Sequence, residues 1–233
     1  MTRQEYIKKI LETYKLVNTL SDKNGCKVLR LRHKDLHKDM VLHSLPTKNE
    51  IYEVLCNIKA PNLPEIYDCI NMEDGQIVLE EYIDGLNVTE VMESGKYTYS
   101  GASEILRDVS DALSILHSHR FVHRDIKPEN IMIRGDGTVF LIDFNASRKI
   151  SAKSRDTEVM GTVGYASPEQ MGIAQTDERT DIYAMGILLN VMLTGKHPSE
   201  RLASGKAHKI IKKCTALNPK ERYQTAEKLK KVL

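Results

Sequence analysis

The sequence predicts an α+β chain of two lobes, a small β-rich one over residues 1–82 and a larger helical one over residues 83–233. Three observations predict it. Short strand-like runs bounded by turn residues crowd into the stretch before Glu81. From Asp84 onward, apolar residues recur mostly at helical spacing instead. The stretch 181–193 is apolar on nearly every side, and a helix with no polar face must lie inside its lobe.

Taken in order, Ile7, Ile10, Leu11 and Tyr14 fall on one face of an opening amphipathic helix. Strands are expected at 16–20, 27–32 and Asp39–Leu45. Pro46 precedes a helical stretch at about 48–58, which Pro61 stops. Strands at 65–70 and 76–81 complete the β-rich lobe, and Asp84-Gly85 reads as a turn or hinge. In the second lobe Ile105, Leu106, Val109, Ala112, Leu113 and Leu116 repeat at helical spacing. Ile131–Arg134 and 138–142 flank Gly135-Asp136-Gly137, the pattern of a β-hairpin. The apolar helix at 181–193 belongs at the centre of this lobe.

Composition narrows the function. A net charge of +2 over 233 residues does not suit a nucleic-acid binder held by bulk electrostatics. The basic run Lys206, His208, Lys209, Lys212 and Lys213 reads as the wet face of a helix. The cysteines at 26, 56, 69 and 214 have neither metal-ligand spacing nor the density of a disulfide scaffold, which fits a reducing cytosol. The opening Met1-Thr2-Arg3-Gln4-Glu5-Tyr6 has no apolar stretch of signal-peptide type. The most apolar run, 187–193, is interrupted by Asn190 and too short to span a bilayer. A cytoplasmic chain without a membrane segment is expected.

The chemistry concentrates at 123–130, His-Arg-Asp-Ile-Lys-Pro-Glu-Asn. Asp125 suits a hydroxyl-proton acceptor, Lys127 follows two residues on, and the Asn130 amide suits a metal ion. Asp143 comes eighteen residues after Asp125, within Ile142-Asp143-Phe144-Asn145. Two further motifs follow, Gly161-Thr162-Val163-Gly164-Tyr165-Ala166-Ser167-Pro168-Glu169 and Asn218-Pro219-Lys220-Glu221-Arg222.

In this order the motifs resemble those of the eukaryotic-type serine/threonine protein kinase family, in its bacterial branch, over about residues 14–233. The resemblance implies one bilobal protein-kinase-like domain, with ATP in a cleft between the lobes and Mg²⁺ as its ion, Mn²⁺ being a substitute. Its reaction is transfer of the γ-phosphoryl group to a protein serine or threonine hydroxyl, in which positioning and charge neutralisation dominate. By resemblance Asp125 orients and deprotonates the acceptor, Lys127 neutralises the transferred group, and Asn130 and Asp143 hold the metal. Thr162 joins the catalytic set. Glu81 and Ile83 supply the hinge backbone groups for adenine. Glu80 guards the back of the pocket, paired with a polar group on the first-lobe helix or turned to solvent. Glu169 pairs with Arg222, and Asp181 accepts hydrogen bonds from the catalytic-loop backbone. Leu55, Ile66, His123 and Phe144 match the apolar stack linking the lobes, so His123 is expected as a packed core residue. Arg124 implies control by charge in the activation segment: either Glu158 supplies that charge permanently or Thr157 is phosphorylated.

The first lobe departs from the family. The turn Ser21-Asp22-Lys23-Asn24-Gly25-Cys26 has one glycine where a glycine-rich loop covers the phosphates. His43, in Met40-Val41-Leu42-His43, stands at the phosphate-binding lysine, and an imidazole is a poor substitute for a fixed charge. Arg30 and Arg32 have better strand geometry than Lys27 to replace that lysine. The glutamate partner is Glu50 or Glu53. Asn145 replaces the glycine of Asp-Phe-Gly and tolerates positive φ. The segment 198–219 is short for the family, so its docking helix is reduced. Three functions follow: an active kinase with a weakened ATP site and a protein substrate, a pseudokinase that binds a regulatory protein partner, or a small-molecule phosphotransferase. Lys127 and the Gly-Thr to Pro-Glu segment argue against the last.

Overall fold

A computed structural model describes residues 1–150, 162, 164–171 and 175–233. They form two compact units, Met1–Ala60 with Pro64–Ile83, and Pro61–Leu63 with Asp84–Leu233.

The first unit opens with α1 (Arg3–Ile10), started by a capping box in which the Thr2 and Glu5 side chains accept each other's backbone N–H groups. The helix ends before Tyr14, which instead begins β1 (Tyr14–Lys23). Tyr14 nevertheless packs beside Tyr6, Ile7, Ile10 and Leu11 on the same core cluster, so the apolar face continues past the end of the helix. Next come β2 (Cys26–His33), β3 (Asp39–Leu45), α2 (Glu50–Leu55), β4 (Ile66–Met72) and β5 (Gly75–Glu81). The strands form one antiparallel sheet in the order β1-β2-β3-β5-β4. Strand alternation sends Leu29, Leu31, Met40, Leu42 and Ile77 to the cluster that α1 covers. The opposite face carries Arg30, Arg32, Asp39, Val41, His43, Val78 and Glu80. α2 is shorter than the stretch 48–58, because Cys56, Asn57 and Ile58 are weak helix formers and Asn49 provides the cap at its start.

The second unit begins with β6 (Gly85–Asn87), so Gly85 opens a strand rather than a turn. A Cβ there would collide with the Ile133 carbonyl oxygen across the sheet, and only glycine permits that approach. Then follow α3 (Val88–Glu93), α4 (Tyr99–Ser118), β7 (Phe121–Val122), β8 (Ile131–Arg134), β9 (Val139–Leu141), β10 (Arg148–Lys149), α5 (Glu178–Thr194), α6 (Gly205–Cys214) and α7 (Ala226–Lys230). β6, β8 and β9 pair in that order, and β10 pairs with β7. Asn62 ties Pro61–Leu63 to this unit: its Nδ2 donates to the Val139 carbonyl at 3.0 Å, and its own carbonyl accepts from Leu141 N at 3.0 Å. α5 is buried along most of its length and packs against α4, α6 and α7; Gly195, at φ 72°, ends it in the left-handed conformation. α6 buries Ala207, Ile210, Ile211 and Cys214 and leaves Lys206, Lys209, Lys212 and Lys213 exposed. Among the described residues no helix is long and apolar enough to cross a membrane.

Candidate active site

The centre of the site is positioned by a buried carboxylate. Asp181, in the first turn of α5, accepts from the backbone N–H groups of His123 at 2.9 Å and Arg124 at 2.8 Å, and lies 2.8 Å from His117 Nε2. These contacts hold the loop after β7 on the core helix. Arg124 sits at φ 70°, a left-handed conformation that costs a non-glycine residue on the order of 1–3 kcal/mol. The peptide is fixed from both sides, because the Gln170 amide donates to the Arg124 carbonyl at 2.8 Å. Gln170 is buried and its Oε1 in turn accepts from Ser167 N at 3.0 Å. His123 is fully buried and meets Phe144 edge-on at 5.5 Å between ring centroids, the contact of a packed core residue.

Asp125 follows this fixed peptide. Its Oδ2 lies 2.6 Å from Lys127 Nζ, its Oδ1 accepts from the Thr162 hydroxyl at 2.6 Å, and Lys127 also donates to Thr162 at 3.1 Å. Burial works against the charge on Asp125, but the hydrogen bonds from Lys127 and Thr162 outweigh it and hold the carboxyl below the ordinary aspartate range. It is therefore ionised at neutral pH. Asn130 ends a 3₁₀ turn, Pro128–Asn130, and its Nδ2 donates to the Asp125 carbonyl at 2.8 Å and to Oδ2 at 3.0 Å. With the nitrogen so committed, the amide oxygen is the group that Asn130 offers to a ligand.

Asp143 lies next to Ile142, whose N–H donates to the Asn130 carbonyl at 3.0 Å. The left-handed residue in this loop is Asp143 itself, at φ 63°, and not Asn145. Aspartate tolerates that conformation, and its Oδ1 accepts from Asn145 N at 3.2 Å in a local turn. Farther along, Arg222 Nη1 and Nη2 reach Glu169 Oε1 and Oε2 at 2.6 and 3.0 Å. Burial raises the Glu169 carboxyl, but Arg222 and the surrounding donors outweigh it, so the net displacement is downward.

The protein kinase domain family matches residues 12–233 of this sequence. The chain belongs to that family. Among curated relatives, a probable serine/threonine-protein kinase of Clostridium perfringens is 30% identical over 201 residues, covering 75% of this chain and 29% of that protein. Serine/threonine-protein kinase PrkC of Bacillus subtilis is 32% identical over 193 residues, 72% of this chain and 30% of its own length. Serine/threonine-protein kinase PknB of Mycobacterium tuberculosis is 30% identical over 181 residues, 66% of this chain and 29% of its own length. The kinase chain thus matches about three tenths of the length of each of these relatives. It groups with the bacterial branch of the eukaryotic-type serine/threonine kinases.

The kinase positions of the first lobe take local partners. Glu80 does not turn to solvent; it is buried, and its Oε2 lies 3.4 Å from His43 Nε2. The two are diagonal neighbours on one face of the sheet, so strand register joins them. Arg30 and Arg32 both bind Asp39, and Arg30 also covers the Tyr82 ring at 4.0 Å. On α2, Glu53 pairs with Lys48 at 2.8 Å and accepts from Asn71 at 3.1 Å, while Glu50 is exposed. At the hinge positions, the Glu81 N–H is used within the sheet, donating to the Glu65 carbonyl at 2.8 Å, and Ile83 is buried. Thr157 and Glu158 lie outside the described residues, as do Gly161 and Val163 of the downstream motif. His117 and Gln170 did not emerge from the sequence. His117 carried a signal, since it continues the buried face of α4 one turn beyond Leu113; Gln170 carried none.

Proposed function

We propose that this chain transfers the γ-phosphoryl group of ATP to serine or threonine hydroxyls of a protein substrate. The observation that carries the reading is the group formed by Asp125, Lys127, Thr162 and Asn130, in which an ionised carboxylate stands between a cation and a hydroxyl. Asp125 orients the acceptor hydroxyl and takes its proton, in the place that the Thr162 hydroxyl takes now. Lys127, already 2.6 Å from Asp125, stabilises charge on the transferred group. Glu81 and Ile83 bind adenine through their backbone, and His43 is the side chain for the phosphates. Asn130 and Asp143 fit a divalent ion: one amide oxygen and one carboxylate form a hard-oxygen donor set that leaves positions for phosphate oxygens and water. Mg²⁺ held by these residues would neutralise phosphate charge, and Mn²⁺ has the same ligand preference. Arg124, Thr157 and Glu158 form the regulatory set, and Glu169, Asp181 and Arg222 the scaffold. The whole, residues 1–233, acts as one kinase domain divided near residue 82, and the setting is cytoplasmic.

Mass spectrometry after incubation with Mg-ATP, with Asp125→Asn as control, tests the reading. Phosphate on the parent but not on the control supports it. A second reading, a pseudokinase that binds a regulatory partner, is favoured by one observation: a buried histidine stands at position 43 while both nearby arginines serve Asp39. Mg-ATP binding without any transfer decides for it.

A further inference from the structure

We propose that a cleft in the helical unit, between the start of α4, the end of α5 and the start of α6, docks an acidic segment of the protein substrate that also carries a leucine-like side chain. The identity of that partner as a substrate rests on the kinase reading above; the docking itself does not.

Between α5 and α6, residues 195–204 form a loop instead of a helix. Its path is set by Asn190, the residue that interrupts the apolar run of α5. Asn190 is fully buried; its Nδ2 donates to the carbonyls of Lys196 and Arg201, each at 2.8 Å, and its Oδ1 accepts from Ala203 N at 2.9 Å. Buried hydrogen bonds of this kind fix a backbone, and a wall fixed before binding costs less entropy to occupy. The loop bounds a cleft of about 570 Å³, within the range of ligand-binding sites.

Tyr99, Leu193, Leu202 and Ala203 give the cleft apolar surface, and Arg201 and Lys206 bring two cations. Lys206 Nζ lies 5.2 Å from the centre of the Tyr99 ring, an attraction that holds the ammonium against the cleft. Among the described residues no carboxylate lines it, and the adjacent Glu200 is engaged by Lys196 at 3.5 Å. The surrounding sequence has the same sign: residues 195–233 carry eleven Lys and Arg side chains against three Glu, in a chain whose net charge is only +2. Such a field draws an anionic partner to this part of the unit.

Concavity decides the class of partner. An extended peptide inserts one apolar side chain into the cleft while carboxylates beside it meet Lys206 and Arg201, whose planar fork suits them. A membrane surface would meet the exposed lysines of α6 but could not enter the cleft.

Fluorescence anisotropy with the full chain tests this, using a fluorescein-labelled peptide of alternating glutamate and leucine. Arg201→Glu with Lys206→Glu should weaken binding about tenfold or more, whereas Lys212→Glu with Lys220→Glu, outside the cleft, should change it less than about threefold. Ser204→Trp, at a cleft residue whose side chain makes no capping bond, should fill the space and weaken binding about tenfold without altering charge. All these positions are exposed, so the variants should fold. No binding by the parent, equal losses from the two charge reversals, or unaltered binding in Ser204→Trp would each overturn the site. Vesicles of equal parts phosphatidylcholine and phosphatidylserine that bind parent and Ser204→Trp alike, while the peptide does not bind, would assign the surface to a membrane instead. Transfer from Mg-ATP to a serine peptide with and without the same acidic extension separates docking from the kinase reading. The extension should lower KM about tenfold with kcat unchanged, and Arg201→Glu with Lys206→Glu should erase the difference. Peptide binding without transfer sinks only the enzyme; transfer indifferent to the extension sinks only the docking site.

Discussion

Arg222→Ala should be among the most destabilising single changes in the helical unit. The Arg222 side chain is buried and makes five hydrogen bonds: two to Glu169 at 2.6 and 3.0 Å, and one each to the carbonyls of Arg179 at 2.8 Å, Ala216 at 2.8 Å and Leu217 at 3.3 Å. Truncation strands the Glu169 carboxylate, 4% exposed, with Thr180 as its remaining side-chain donor. Removing one partner of a buried pair costs about 3–5 kcal/mol. At roughly 2–4 °C per kcal/mol for a chain of this size, the midpoint should fall by about 6–20 °C. Thermal unfolding followed by circular dichroism reads this directly. The pH dependence gives a second check. The folded Glu169 carboxyl lies below its ordinary 4.5, so the pair stabilises above that pH and the contribution is lost as pH falls through the folded value. Without Arg222 there is no such contribution, and the gap between parent and variant should narrow in acid. The double change Glu169→Gln with Arg222→Met should recover much of the loss at neutral pH, because no charge is left buried. A midpoint for Arg222→Ala within about 2 °C of the parent, or a double change whose losses simply add, would refute the reasoning.

Three further outcomes are expected. Gln170→Ala frees the Arg124 carbonyl, so hydrogen exchange in the catalytic loop should quicken and stability should drop by about 1–3 kcal/mol; unchanged exchange would remove the residue from the site's support. Asp143→Ala should abolish metal-dependent nucleotide binding in calorimetry, and an unchanged affinity would mean that nucleotide binds without the proposed metal ligands. Gly85→Ala forces a side chain against the Ile133 carbonyl and should destabilise by about 1–3 kcal/mol, read by denaturant unfolding; a neutral result would show that the strand yields locally.

How much could be read in the sequence depended on whether partners lie on one short segment. Asp125, Lys127 and Asn130 sit within six residues, so one loop brings them together and a linear motif records the arrangement. The two-lobe order was equally legible, because strand and helix periods differ and fall in separate halves of the chain. Contacts set by strand register were not legible. The meeting of His43 with Glu80 needs the antiparallel alignment of β3 with β5, and the capture of Arg30 and Arg32 by Asp39 needs that of β2 with β3. No spacing within one strand reveals either. Gly85 shows a related limit: glycine marks a special backbone position, but a turn and a close strand approach leave the same letter in the sequence.

The three-way grip of Asp181 has a consequence for temperature. The same carboxylate that sits in the first turn of α5 also fixes the backbone just before Asp125. The loop therefore has no independent melting point of its own: to rearrange, it must abandon a carboxylate inside the helical core. Heat inactivation should coincide with loss of the core's helical signal instead of preceding it, and a catalytic rate that decays well below the unfolding transition would have to originate elsewhere in the chain.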